Sequence, residues 1–248
     1  MKKSIILFLA IGMFYFQQAH AQDFKFGFSV EPTLSWMTTS TPDVQSDGSN
    51  FGFRFGVIGE NYFGDNFGIT AGVRLGIGMG GSLKYRYGGR LLPESELTRQ
   101  IENSRDDFPD NTSINYNLSV LELPFSFKMR SNQIGYINYF AEFPILSLGI
   151  LTNAKGDITS STINSEDENV IKDVSTIFLN WGVGAGMEYE LSAGTSLVLG
   201  LYYMSSLSDM TTDDAIVNIP LDSGEVVEEP EESKGILRNI SLRVGVKF

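Results

Sequence analysis

The chain has 248 residues, 18 basic and 30 acidic, with a formal net charge of −12 and no cysteine. An acidic balance argues against a nucleic-acid partner, whose phosphates need basic contacts. The missing cysteines exclude a disulfide framework and thiolate chemistry.

Met1-Lys2-Lys3, an apolar run from Ile5 to Phe16 and the A-x-A site Ala19-His20-Ala21 open the chain. This is the layout of a secretory signal peptide over residues 1–21, with Gln22 the first mature residue. The alternative, a membrane anchor, needs about 20 apolar residues to cross roughly 30 Å, more than this run or any later one offers. Cleavage removes His20, the only histidine, and takes the net charge to −14. No Ser–His or Cys–His nucleophile pair and no imidazole or thiolate metal ligand is then left.

Residues 22–248 read as one domain of eight strands. The first, Phe24 to Trp36, alternates Phe24, Phe26, Phe28, Val30, Pro32, Leu34 and Trp36 with small or charged residues, among them Lys25 and Glu31. The second runs from about Phe51 to Tyr62, with Arg54, Gly56 and Glu60 on its polar face. The third, Phe67 to Tyr87, keeps an unbroken apolar/polar alternation, with Arg74, Lys84 and Arg86 on the polar side. It far exceeds the usual strand of about 5–6 residues. Apolar residues out and glycine or charge in is the pattern of a membrane-spanning barrel.

The fourth strand, about Ile114 to Met129, changes phase near Val120-Leu121, which predicts a β-bulge there or a strand edge set elsewhere. The fifth, about Tyr136 to Leu151, is irregular, with Glu142 and Pro144 amid apolar residues. The sixth, about Thr176 to Leu191, turns Asn180, Glu188 and Glu190 inward. The seventh spans about Thr195 to Ser205. The eighth, from Ile236, ends the chain at Phe248 with Asn239, Arg243 and Lys247 inward.

Connections alternate long and short: residues 37–50, 89–113, 152–175 and 206–235 are long, while 61–66, 130–135 and 192–194 are short. Long extracellular loops and short periplasmic turns are the rule for outer-membrane barrels. An even strand count places both termini in the periplasm. The fold class is therefore all-β: an eight-stranded antiparallel transmembrane barrel of the outer-membrane type. Trp36, Tyr62, Phe63, Tyr85, Tyr87, Tyr116, Tyr136, Tyr139, Tyr189, Tyr202 and Tyr203 lie near strand ends. They suit interfacial aromatic girdles better than core packing.

The last residues, Ile240-Ser241-Leu242-Arg243-Val244-Gly245-Val246-Lys247-Phe248, resemble the terminal β-signal of bacterial outer-membrane barrels. That resemblance implies recognition by the barrel assembly machinery during biogenesis. Leu121-Glu122-Leu123-Pro124-Phe125 with Lys128, then Tyr139-Phe140-Ala141-Glu142-Phe143-Pro144, resemble the PorT-like outer-membrane β-barrel family of Bacteroidetes. Phe178 to Tyr189, Leu199 to Asp209 and Arg238-Asn239 are similar to that family's later strands. The resemblance covers most of the mature chain. It implies fold and location, and membership of a secretion or gliding complex for some relatives only.

The inward charges are Lys25, Glu31, Arg54, Glu60, Arg74, Lys84, Arg86, Glu122, Lys128, Glu142, Glu188, Glu190, Arg243 and Lys247. An eight-stranded barrel is just wide enough for side chains to fill, and buried charges must be paired. The expectation is a lumen plugged by ion pairs; the alternative is a narrow polar pore. Glu188 and Glu190 share the spacing of the strand's inward period, so they do not mark a catalytic carboxylate pair. Gly78-Met79-Gly80-Gly81 lacks the Lys and the helix of a phosphate loop; its glycines are expected on the inner face, giving room to bulky side chains opposite.

The four long connections carry 22 acidic and 6 basic residues. Asp106-Asp107 with Asp110, Glu166-Asp167-Glu168, and Glu228-Glu229 with Glu231-Glu232 are the dense clusters. Carboxylates can take Ca²⁺, but no EF-hand pattern is present. The clusters read as a solvated surface that keeps the loops extended. Pro220, Pro230 and the Glu run predict a mobile or partly disordered last loop.

No catalytic, cofactor or metal residue is assigned. The expected role is a non-enzymatic structural, accessory or interaction barrel, with outer-membrane lipid as partner, an envelope protein complex as a further one, and no nucleic acid. The alternative is transport-related and porin-like: a narrow pore, or a component of a secretion or gliding complex. A membrane-embedded hydrolase is disfavoured without histidine.

Overall fold

The computed structural model describes residues 24–98, 101, 107–212, 214–221 and 225–248. The expected signal peptide, with its Ala19-His20-Ala21 site, lies outside them, as does Asp106. The strands are β1 (Phe24–Thr38), β2 (Val44–Phe63), β3 (Phe67–Tyr85), β4 (Gly89–Arg90), β5 (Thr112–Arg130), β6 (Ile137–Thr159), β7 (Asn164–Asn169), β8 (Ile177–Ser192), β9 (Thr195–Ser206), β10 (Ile216–Pro220), β11 (Val226–Pro230) and β12 (Ile236–Lys247). A 3₁₀ turn, Ile171–Asp173, precedes β8.

Eight of them, β1, β2, β3, β5, β6, β8, β9 and β12, form a closed antiparallel ring. The seam joins the first and last strands, β1 to β12, from Gly27↔Lys247 to Thr38↔Ile236. Just below it, the backbones of Phe26 and Phe248 exchange hydrogen bonds of 3.1 and 2.8 Å. Closure satisfies every ladder, as a hydrocarbon surrounding demands. The short turns, 64–66, 131–136 and 193–194, lie at the end that holds Phe24 and Phe248.

The strands outrun the apolar segments that announce them. β2 starts at Val44 rather than near Phe51, and β6 continues to Thr159 rather than stopping near Leu151. Over the lower part the outward side chains are apolar and exposed, for example Phe28, Val30, Phe55, Val73, Leu75 and Leu242. From Phe24 to Trp36, at about 3.3 Å per residue and a tilt of about 40°, the strand rises roughly 30 Å, the depth of a bilayer's hydrocarbon core. Above that level Gln45, Asp47, Asn117 and Lys155 face out, while Leu83, Tyr85, Ile114, Tyr116 and Leu118 are buried inside.

β3 makes this inversion with a bulge. Ile77 and Gly78 oppose the single residue Ser119 between the pairs Gly76↔Val120 and Met79↔Leu118. Gly78 has φ +70°, a left-handed conformation that glycine adopts without a Cβ penalty. The alternation expected to be unbroken from Phe67 to Tyr87 therefore changes phase. Met79, Leu83 and Tyr85 turn inward, and Lys84 and Arg86, expected in the lumen, stand outside.

β5 makes the inversion with no bulge of its own. Its even residues face inward throughout, from Ile114 to Lys128. Only their chemistry changes, from apolar above to Glu122, Ser126 and Lys128 below. The expected phase change near Val120-Leu121 is thus a change of surroundings. The register shift at Ser119/Val120 places the extra residue, Thr152, on the partner β6. A second β6 bulge, Phe143–Pro144, interrupts its ladders with both β5 and β8, which accommodates a proline without losing a paired donor.

The long loops fold back over the mouth. β7 extends β6 as a hairpin, and β11, β10 and β4 form a small sheet. The described part of the last loop forms a hairpin, from the pair Ile216↔Pro230 to the pair Pro220↔Val226. Leu92, Phe108, Val170 and Met210 from the loops pack with Leu83, Ile114 and Phe178 from the strands in one buried apolar cluster.

Candidate functional site

The inward period of the strands brings the expected charges into two layers. In the upper layer Glu31 (β1), Glu122 (β5) and Glu142 (β6) meet Arg54 (β2), Arg74 (β3) and Arg243 (β12). Arg74 bridges Glu31 at 3.2 Å and Glu122 at 3.0 Å, and Arg54 reaches Glu122 at 3.1 Å. Arg243 spans the lumen from Glu31 at 2.6 Å to Glu142 at 3.3 Å. Each guanidinium fork carries two or more partners, which a point charge does less well. Arg54 uses its spare donor on Asn239, 2.9 Å away.

The lower layer uses lysine. Lys128 lies 2.6 Å from both Glu60 and Glu188, and Lys247 lies 2.9 Å from Glu60 and 2.5 Å from Glu188. Each layer balances its own charge: three acids with three bases above, two with two below. Buried charge without such partners would be prohibitive. The space left beside Glu60, Arg243 and Lys247 is about 20 Å³, room for about one water. The remaining expected lumen residues, Lys25 and Glu190, sit at the periplasmic mouth, where Glu190 accepts from Gln133 at 2.5 Å.

Tyrosines complete the packing. Tyr202 donates to Glu142 at 2.8 Å and its ring lies 3.8 Å beneath the Arg243 guanidinium. Tyr62 donates to Glu60 at 2.7 Å. A Cβ on Gly184 would fall 2.3 Å from the Tyr202 ring, so the glycine makes room for it. Tyr62, Tyr85, Tyr116 and Tyr202 are therefore interior residues, not members of a girdle. The phase of the second and seventh strands already placed Tyr62 and Tyr202 among inward positions; their aromatic character obscured that signal. Phe63, Tyr136, Tyr139 and Tyr189 do face outward near the periplasmic turns, and Trp181 meets Tyr203 edge-on at 6.3 Å near the opposite boundary.

Several loop carboxylates are not solvated as expected. Glu168 is buried and accepts from the Thr98 N–H at 2.7 Å and the Thr98 hydroxyl at 2.8 Å. Asp173 is buried and accepts from the Glu94 N–H at 3.2 Å and from the Ser95 hydroxyl. Burial pushes the Asp173 carboxyl above the usual aspartate range, against the opposing pull of those donors. Asp110 holds the Gly88 N–H at 2.8 Å, and Asp209 holds those of Thr211 and Gly235 at 3.0 and 2.8 Å. Glu168 and Asp173 tie one loop to another, while Asp110 and Asp209 brace their own. Among the described residues no group of His, Cys, Asp or Glu is arranged to hold a metal ion.

Among curated proteins none matches this sequence. Solved structures with a similar course include Neisserial surface protein A, 13% identical over 90% of this chain and 95% of that one, with a TM-score of 0.42. The outer membrane protease OmpT of Escherichia coli is 9% identical over 94% and 98%, also at 0.42. Ail, the attachment invasion locus protein of Yersinia pestis, solved with the heparin analogue sucrose octasulfate, is 12% identical over 91% and 99%, at 0.38. The family model described as outer membrane protein beta-barrel domain matches residues 17–212. The chain belongs to that family, and the outer membrane is its location.

Proposed function

We propose that this protein is a non-enzymatic barrel that acts at the cell surface through its acidic, folded cap, and does not pass solutes. The carrying observation is the filled interior: two self-neutralised charge layers with an apolar cluster above them. A conducting pore needs a continuous wet path, and neither layer leaves one. The carboxylates of the two layers are all committed to cations, which leaves none poised as a general base.

Within the family, Leu121-Glu122-Leu123-Pro124-Phe125 with Lys128 and Tyr139-Phe140-Ala141-Glu142 support a place beside the PorT-like barrels. Glu122, Lys128 and Glu142 of those motifs are lumen residues, so the motifs serve interior packing. An envelope complex partner would co-purify after mild detergent extraction. The signal peptide over 1–21 belongs to the same reading, and sequencing of the mature protein should begin at Gln22.

Planar-bilayer recording of the folded protein decides between plug and pore. The expected result is a silent barrel. A steady ohmic conductance from correctly folded protein would overturn this reading and favour the transport alternative.

A further inference from the structure

We propose that a cavity on the outer side of the cap binds a small organic cation: an ammonium group carried on an apolar body. The cavity has a volume of about 280 Å³ and lies between the start of β2, the end of β3 and the β10–β11 hairpin. That is near the lower end of the range for small-molecule sites. The proposal rests on the surface-interaction reading above and names the chemistry it would recognise.

The floor of the cavity is apolar: Val44, Tyr85, Val217 and Ile219. The Tyr85 hydroxyl is engaged with that of Tyr116 at 3.1 Å, so what Tyr85 offers the cavity is its ring. The rim is acidic: Asp43, Glu229, Glu231 and Glu232. Among the described residues no basic side chain lines it. Glu231 is only 7% exposed, and the Ser233 N–H donates to its carboxylate at 2.7 Å, so this acid is fixed in the wall. One sign of charge along a concave apolar wall focuses potential and raises the local concentration of the opposite ion. A bare divalent cation would want six or more oxygen ligands, and the floor supplies carbon. An anion would meet the exposed carboxylates of Glu229 and Glu232. What fits both surfaces is a cation with hydrocarbon attached.

The molecule already shows this recognition at the cavity's edge. The Arg86 guanidinium lies 5.2 Å from the centroid of Tyr87, a lining residue, and 3.8 Å from the carboxylate of Asp43. An aromatic face beside a carboxylate is the arrangement that holds an organic cation. Arg86 is 62% exposed and its pair with Asp43 is long, so it is weakly held and a ligand can compete with it.

The test is calorimetric titration of the full chain, folded in detergent, with 2-phenylethylamine. 2-Phenylethanol and phenylacetate serve as neutral and anionic counterparts, and empty micelles as the blank. The expected result is saturable one-to-one binding of the amine alone, with a Kd in the millimolar range. The exposed pair Glu229→Gln/Glu232→Gln should weaken it at least tenfold, and Tyr87→Ala several-fold. Asp167→Asn, in the distant β7 hairpin, should leave it unchanged. Equal binding of the alcohol, or an equal loss in Asp167→Asn, would overturn the proposal, since binding would then follow hydrophobicity or bulk acidity. No saturable binding in wild-type protein would overturn it outright. A conducting barrel that binds the amine would defeat only the plug reading, and a silent barrel that does not would defeat only this one.

Discussion

Below Gly78, β3 turns Val73, Leu75 and Ile77 outward and Arg74 inward; above it, Lys84 is outward and Leu83 and Tyr85 are inward. β5 shows the same contrast with no bulge, from Lys128 and Glu122 inside below to Leu118 and Ile114 inside above. One continuous set of ladders thus carries two proteins of opposite polarity. The lower is a membrane barrel with a polar core. The upper is a water-facing barrel with an apolar core. The backbone is indifferent to the change because closure satisfies it in both settings. The side chains must differ because the solvent outside differs: hydrocarbon below rewards apolar contact, and water above drives apolar groups inward.

The contrast is most exposed to refutation in the lumen. Arg74→Ala removes one of three cations shared by three carboxylates, and losing one partner of a buried ionic set costs roughly 3–5 kcal/mol. Urea unfolding from micelles should report a loss of that size. Removing charge on both sides, with Arg74→Met and Glu122→Gln together, should recover part of it, since the sites are in contact and non-additive. A harmless Arg74→Ala would mean that the lower core is hydrated, and the two halves would differ less than described.

A pair of outward substitutions sharpens the same contrast. Val73→Arg places charge on the lipid face and should cost roughly 2–4 kcal/mol near the midplane. Asn117→Arg points outward too, on neighbouring β5 above the bulge, and should change stability by less than about 0.5 kcal/mol. Equal penalties in lipid vesicles would move the membrane boundary above Asn117.

The lower half was legible in the sequence because lipid imposes a strict period of two. The membrane-spanning strands and the inward members Glu31, Arg54, Arg74 and Lys128 all follow from that period. The upper half was not. Its outward residues are polar and its inward ones apolar, so strands such as Val44 to Asn50 resemble loop by composition. Gly78 was legible as glycine, but its φ of +70°, which inverts Lys84 and Arg86, was not. Burial of Glu168 and Asp173 was equally hidden, because a carboxylate that accepts loop N–H groups looks the same in sequence as one in water.

Asp173 yields a subtler test, confined to the cap. Its pKa is higher folded than unfolded, so the folded state holds the proton more tightly. Its contribution to stability is full below the unfolded pKa and is lost as pH rises through the folded value. Amide exchange at the 3₁₀ turn should therefore slow, relative to Asp173→Asn, as pH falls from neutral towards the aspartate range. Asparagine keeps an oxygen for the Glu94 N–H and cannot ionise, so the variant should show no such trend. Identical pH profiles would mean that the carboxyl is solvated after all.

A small effect on stability is expected at Phe248. Its side chain is 46% exposed on the outer face, with its ring 5.5 Å from that of Phe26. Its backbone exchanges two hydrogen bonds with Phe26 at the seam. Phe248→Ala keeps those bonds and loses one cross-strand contact, worth roughly 0.2–1 kcal/mol. Refolding into detergent and the urea midpoint should barely move. Deleting the residue also breaks the seam bonds, so the gap between deletion and alanine isolates the backbone's share. In cells the ranking should differ. If the terminal ring is what the assembly machinery reads, alanine alone should lower the amount of protein in the outer membrane nearly as far as deletion does. Unchanged outer-membrane levels for Phe248→Ala would reduce the residue to a closing contact of the barrel and sink its role as an assembly signal.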